Sequence, residues 1–341
     1  MTGTTGATGA GATSPSWSEM ELYIIGEHIE DFQDGFITRR ELLRRVTLIT
    51  GSLAITAAVL PALGCNVNAP PAAPAARASF VPSPAATATA AATPFAIPPP
   101  ARTTDGITVK ADDPRITAGP AAGLIGADGA TLIAYRAAPT GASRGGILVV
   151  QENRGVTEHI KDVVRRAATA GFTALAVDLL SREGGADKLG TDYPASLAKR
   201  TPDQILSDLR VGLAVLERTE HDRLAAVGFC FGGGVVWQLV NSGSPLRAAA
   251  PFYGPKPSDI SGLAATKTAV FAVYGEQDTR ITDSRTEMEA ALTRSGTPYR
   301  ITVYPGANHG FHNDTSDRYA PEQAQQAWIG TIGWFTRYLA G

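Results

Sequence analysis

Three side chains of the types used in nucleophilic catalysis, Cys230, Asp278 and His309, each follow an apolar run. Cys230 lies in Gly228-Phe229-Cys230-Phe231-Gly232, a G-x-nucleophile-x-G pentapeptide with Cys where Ser often stands. The two glycines permit a sharp strand-to-helix turn, since a Cβ at either would crowd it. The turn lifts the sulfur above a sheet edge. The run Gly233 to Val240 then supplies a helix whose N-terminal N–H groups favour a thiolate. A thiol needs a base, and the base needs a carboxylate to fix its tautomer. His309, in Pro305-Gly306-Ala307-Asn308-His309-Gly310-Phe311, suits the first role, and Asp278, in Tyr274-Gly275-Glu276-Gln277-Asp278, the second.

Plainer readings stand beside these. Cys is common in cores. Asp278 could be a loop acid or a helix cap, with Glu276 as its nearest rival. Of the five His, His28, His159 and His221 are poorly placed, and His312 is the one competitor to His309, which directly follows the Gly-rich turn. Two further residues stand at strand ends. Glu152, in Val150-Gln151-Glu152-Asn153-Arg154-Gly155, is partly stripped of water there, which favours sharing a proton with a nearby thiol. Its alternative is a salt bridge to Arg154 or a turn cap. Arg182, in Asp178-Leu179-Leu180-Ser181-Arg182, could fork onto a substrate carboxylate or pair with Glu183.

The elements that must position these groups form an alternating series. Leu124 to Gly126 and Thr131 to Arg136 predict a hairpin around Asp128-Gly129. Buried strands are expected at Gly146–Gln151 and Leu224–Val227, and further strands at Thr173–Val177, Ala248–Tyr253, Thr268–Tyr274 and Tyr299–Tyr304. Between them the apolar spacing predicts helices over His159–Ala170, from a Thr201-Pro202-Asp203-Gln204 capping box to about Arg218, over Asp283–Ser295, and from Pro321 with Trp328, Ile332, Phe335 and Leu339 inward. This alternation predicts an α/β fold, a mostly parallel sheet with helices on both faces, whose reactive groups gather at the C-terminal ends of the strands.

The 341 residues divide by composition into four stretches. Residues 1–37 read as a disordered or weakly helical leader, and 66–103, rich in Ala, Pro and Thr, as an extended linker. Residues 38–65 hold Arg39-Arg40 ahead of an apolar run from Val46 to Leu63, which resembles a twin-arginine export signal; a plain membrane anchor is the alternative. Ala62-Leu63-Gly64-Cys65 resembles a lipoprotein cleavage site, with Cys65 as the lipidated residue and Ala62 in place of the usual Leu. Residues 104–341 form the folded domain. The expected location is therefore outside the cytoplasm, with a membrane tether through the N-terminus. With 30 basic and 32 acidic residues there is no basic patch for nucleic acid. The two Cys, 65 and 230, imply no disulfide framework, and no Cys/His spacing suits zinc. No metal or cofactor is expected, and the chain is expected to be a monomer.

From about Leu124 to Gly341 the chain resembles the dienelactone hydrolase (carboxymethylenebutenolidase) family of α/β-hydrolases. GFCFGG, VVQENRG, DLLSR, YGEQD and PGANHGF carry the resemblance, in the family's order. It implies a Cys230-His309-Asp278 triad, Glu152 as the carboxylate that helps generate the thiolate, and an oxyanion hole from the backbone N–H groups of Phe231 and Asn153. It also implies Arg182 as a carboxylate-binding residue. The family's second such Arg, four residues after the His, is Asn313 here, and Arg154 is the residue that could replace its charge. The implied substrate is a small ester or lactone. A thiolate with an ordinary pKa of about 8.5 is expelled in preference to an alkoxide, so enol lactones and aryl esters are expected to react and alkyl esters to resist. A dienelactone-type substrate is favoured. The alternatives are a broad carboxylesterase of the same fold and a tethered, non-catalytic binding protein. A redox-sensing thiol is a weaker reading, since no second Cys lies in the folded domain.

Overall fold

Strand β5 (Leu224–Phe229) and helix α8 (Phe231–Asn241) meet at Cys230, and the rest of the domain is built outward from this unit. The computed structural model describes residues 17–68 and 107–340. The chain divides into two units, residues 1–74 and 75–341.

In the first unit, α1 (Glu19–Gln33) opens on a Ser18/Glu21 capping box. Helix α2 (Arg39–Thr50) starts at the Arg pair, capped by Thr38. The apolar stretch read as one run is two helices. Gly51 ends α2 in a left-handed conformation at φ 74°, and α3 (Leu53–Ala62) departs at 106°. Hydroxyls explain the break: Thr56 bonds Thr47, Thr50 and the Ser52 carbonyl. Among the described residues no single helix is long and apolar enough to cross a membrane, although the bent pair together has that length and composition. Cys65 follows α3, its N–H donating to the Leu60 carbonyl. The 66–103 linker lies outside the described residues apart from its first three positions, as does nearly all of the stretch before α1.

The second unit is one eight-stranded sheet in the order β1-β2-β4-β3-β5-β6-β7-β8. β1 (Ile116–Ala121) and β2 (Ala134–Pro139) pair antiparallel, and β2 pairs antiparallel with β4 (Thr173–Val177). The remaining strands, β3 (Gly146–Val150), β5, β6 (Ala248–Phe252), β7 (Ala269–Gly275) and β8 (Tyr299–Tyr304), run parallel. Every residue of β3, β4, β5, β6 and β7 is buried, as unbroken apolar runs covered on both faces should be. The expected hairpin around Asp128-Gly129 shrinks to a turn with one bridge, Ile125–Thr131. Its second arm starts later, becomes β2, and spends its backbone groups on β1 and β4.

Around the sheet lie α4 (Glu158–Thr169), the short α5 (Gly185–Leu189) and α6 (Tyr193–Leu197), α7 (Pro202–Glu220), α8, α9 (Thr279–Thr282), α10 (Arg285–Ser295) and α11 (Pro321–Leu339). The Thr201/Gln204 capping box opens α7 as expected. Trp328, Ile332, Phe335 and Leu339 of α11 are buried, each side chain withdrawing on the order of 2 kcal/mol of apolar surface from water.

Candidate active site

The loops leaving β3, β5, β7 and β8 bring together the residues singled out in the sequence. Register does most of this. Val150 pairs with Gly228, so Glu152 and Cys230 each lie two residues past a matched pair on strands about 4.8 Å apart. Phe229 pairs with Phe252, which sets Tyr253 on the other side of Cys230.

Cys230 has φ 56° and ψ −122°, a conformation that side-chain-bearing residues avoid. Close packing holds it there. A Cβ on Gly228 would run into the Gly232 carbonyl, and one on Gly232 into the carbonyls of Val150 and Gln151. The Cys230 N–H donates to the Phe252 carbonyl at 3.1 Å. Phe231 opens α8, so its N–H belongs to the first turn, which no carbonyl of its own helix reaches.

His309 Nδ1 lies 2.7 Å from Asp278 Oδ2, and both side chains are buried. A ring nitrogen of His309 lies within 4.8 Å of Cys230 Sγ. The two rivals are otherwise engaged. Glu276 accepts from the Gly306 N–H at 2.9 Å, stapling the turn before His309. His312 stacks on Phe229 at 4.8 Å and packs on Phe252 and Trp328. Burial, with Arg166 and His159 adding to it, pushes its imidazole well below the usual histidine range, so it stays neutral.

Glu152 is half-buried, and its Oε2 accepts from Asn313 Nδ2 at 2.7 Å. Its predecessor Gln151 is locked: Nε2 donates to the Tyr193 hydroxyl at 2.5 Å, which donates in turn to Asp178 Oδ1 at 2.7 Å. Asn153 and Arg154 form the turn after β3, and Arg154 is exposed. Arg182 does not pair with Glu183. Its guanidinium is shared by Asp128, at 2.6 and 2.9 Å, and buried Asp208, at 2.7 and 3.0 Å. A substrate carboxylate would have to displace one of them.

One residue escaped the sequence reading. Tyr253 ends β6 at φ 35° and packs edge-on against the His309 ring at 5.1 Å. Its hydroxyl is buried, facing the backbone of His312. Burial pushes that hydroxyl well above the usual tyrosine range, and negative charge at Glu152 and Cys230 adds to the rise. Nothing in Pro251-Phe252-Tyr253-Gly254 marks it beyond its place at a strand end.

Taken together, these groups can supply a sulfur nucleophile, a histidine oriented by a carboxylate, and a second carboxylate at the end of the neighbouring strand.

The dienelactone hydrolase family model matches residues 132–339. A "Putative carboxymethylenebutenolidase" from Methylorubrum extorquens is 36% identical over 225 residues, covering 60% of this chain and 76% of the relative. A "Probable 2-oxo-3-(5-oxofuran-2-ylidene)propanoate lactonase" from Bradyrhizobium is 31% identical, covering 64% of this chain and 94% of the relative. Among solved structures, a "Putative Dienelactone Hydrolase" from Klebsiella pneumoniae aligns with a TM-score of 0.60 at 30% identity, over 65% of this chain and 99% of that one.

Proposed function

Since the chain belongs to the dienelactone hydrolase family and is a hydrolase, we propose that it cleaves enol lactones and activated carboxylic esters through a thioester on Cys230. In this reading His309 and Asp278 complete a triad with Cys230. The Cys230 thiol gives up its proton, with Glu152 and His309 as the available acceptors. The thiolate adds to the substrate carbonyl, whose oxygen takes the negative charge against the N–H groups of Phe231 and Asn153. The carbonyl re-forms as the C–O bond to the leaving group breaks, and the proton taken from the thiol passes to the leaving oxygen or to solvent, so that His309 is neutral again. Water then adds to the thioester with His309 taking its proton, and the thiolate departs. The observation that carries the reading is the His309–Asp278 contact at 2.7 Å with a His309 nitrogen near the sulfur.

Of the acyl groups open to this nucleophile, a dienelactone-type acid would look to Arg182 for its carboxylate. The pairing of Arg182 with Asp128 and Asp208 favours the broader esterase instead. The leaving group sets the limit: an activated phenolate such as p-nitrophenolate leaves in preference to the thiolate, enolates and plain phenolates lie close enough in basicity to compete with it, and alkoxides do not. The test is turnover of p-nitrophenyl acetate, cis-dienelactone and ethyl acetate by the full chain and by Cys230→Ala. Activity on the first two substrates or the first alone, absent in the variant, is expected. Efficient cleavage of ethyl acetate, or activity surviving the substitution, would refute it.

We further propose that residues 38–65 are an export signal and that Cys65 carries lipid, which would tether the enzyme outside the cytoplasm. Arg39-Arg40 ahead of the apolar run supports this reading. Fatty-acid labelling that persists in Cys65→Ala would end the lipid part, and recovery of the protein in the cytoplasm alone would end the rest.

A further inference from the structure

The hydrogen-bond partner of Glu152 carries no charge, and its orientation is fixed. Asn313 Oδ1 accepts from the Thr315 N–H at 3.0 Å and from Thr315 Oγ1 at 2.6 Å. The NH2 end therefore faces Glu152 Oε2, at 2.7 Å. A flipped amide would set its NH2 against the Thr315 N–H and its oxygen against the carboxylate. The backbone on the far side is anchored as well. Asp314 is buried, with Oδ1 2.9 Å from His159 Nδ1 and Oδ2 on Arg166. Arg166 is held in turn by Asp162, at 2.8 Å from its Nε.

This clamp has a consequence for what can sit on the sulfur. Glu152 stands across the β3–β5 register from Cys230, and the amide that holds it adds no positive charge, so a proton shared between carboxylate and thiol still leaves one negative charge on the pair. The charge of Arg182 is already met by two carboxylates. An acyl group reaching from Cys230 toward β3 meets a carboxylate and a neutral amide. A second carboxylate there faces like charge, whereas an alkyl or hydroxylated group does not.

We propose that Asn313, oriented by Thr315, is a specificity-determining residue that restricts the acyl pocket to uncharged esters and lactones. The inference rests on Cys230 being the nucleophile. The experiment compares two substrates of similar size in the full chain, p-nitrophenyl butyrate and the p-nitrophenyl half-ester of succinic acid. Wild type is expected to favour the butyrate in kcat/KM by about tenfold or more, the scale of a partly screened like-charge contact. Asn313→Arg is expected to shrink that preference by about tenfold, through a lower KM for the half-ester, while Asn313→Gln keeps it. Should Asn313→Arg fail to fold, wild type alone still decides: raising the ionic strength must speed half-ester cleavage and leave the butyrate unchanged.

Equal or better use of the half-ester by wild type overturns the inference, as does an unchanged preference in folded Asn313→Arg. A half-ester KM that rises in Arg154→Ala would show that Arg154 supplies a cation here, and overturns it too. In each of these cases Cys230-dependent turnover would leave the proposed activity standing. Turnover of neither ester, or turnover that survives Cys230→Ala, removes the nucleophile and this inference with it.

Discussion

Gly275 ends β7 against the turn that carries His309, and replacing it with Ala should separate the two halves of the proposed base. Its φ lies outside the left-handed region, so the effect is steric. The new methyl carbon would lie 2.7 Å from the Ala307 carbonyl oxygen, 3.0 Å from that of Asn308 and 3.1 Å from the Ala307 carbonyl carbon. Ordinary contact begins at 3.4 Å, so the turn must retreat by about 0.7 Å. All three atoms are backbone, and they are tethered. The Gln277 N–H donates to the Ala307 carbonyl at 2.9 Å, and the Glu276 N–H to Tyr304 at 3.1 Å. The turn cannot swing aside without loosening these bonds. Moved along the line joining them, His309 Nδ1 and Asp278 Oδ2 would go from 2.7 Å to about 3.4 Å, outside good hydrogen-bond range. Overpacking of this kind costs about 1–3 kcal/mol. For a domain of this size each kcal/mol lowers Tm by about 2–4 °C, so a fall of about 2–12 °C is expected. A displacement approaching 1 Å at a catalytic pair costs on the order of a hundredfold in rate. The assay is thermal unfolding beside kcat/KM on p-nitrophenyl acetate. Gly333→Ala is the control: it lies on the exposed side of α11 with nothing within 4 Å, and should gain about 1 kcal/mol from helix propensity. If Gly275→Ala keeps its Tm within about 1 °C and its rate within about twofold, the steric reasoning behind both magnitudes is wrong.

Two further outcomes follow from buried charge. Arg182→Ala leaves Asp208 with Arg200 as its remaining cationic partner, at 3.1 Å, and should lower stability by about 2–4 kcal/mol in urea unfolding; a variant as stable as wild type that differs only in KM for acidic substrates would restore a substrate-binding role. His312 is held neutral, its folded pKa below the unfolded value near 6.5. Its contribution is therefore complete above about pH 6.5 and is lost as pH falls, at up to about 1.4 kcal/mol per pH unit. His312→Phe, which suits the surrounding rings, should flatten that slope between pH 7 and 5, and an unchanged slope would assign the acid sensitivity elsewhere.

What the sequence made legible was what depends on near neighbours. The elbow at Cys230, the capping box at Thr201 and the apolar runs of β3 to β7 are each set within about ten residues, and each formed. Contacts across the chain were not legible. Glu183 is the charged neighbour of Arg182 in the sequence, yet the partners of Arg182 lie 54 residues earlier and 26 later. The Asn313 amide reaches Glu152 across 161 residues. β1, with Gly119 and Pro120 inside it, has no strand signature and forms because β2 offers it an edge. Tyr253 was hidden because a positive φ at a non-glycine residue reflects packing around it and leaves no trace in composition.

The outermost position of β8 has a consequence for biosynthesis. This strand pairs with β7 alone and is followed by the turn that carries His309. A chain emerging from its N-terminus can assemble the sheet through β7, with Cys230, Glu152 and Asp278 already placed, before β8 and the turn behind it are made. Until β8 docks, the His309 imidazole is not held beside the sulfur. On the proposed mechanism the nascent enzyme is latent by order of synthesis, and a product cut short before His309 would display the elbow without the ability to turn over.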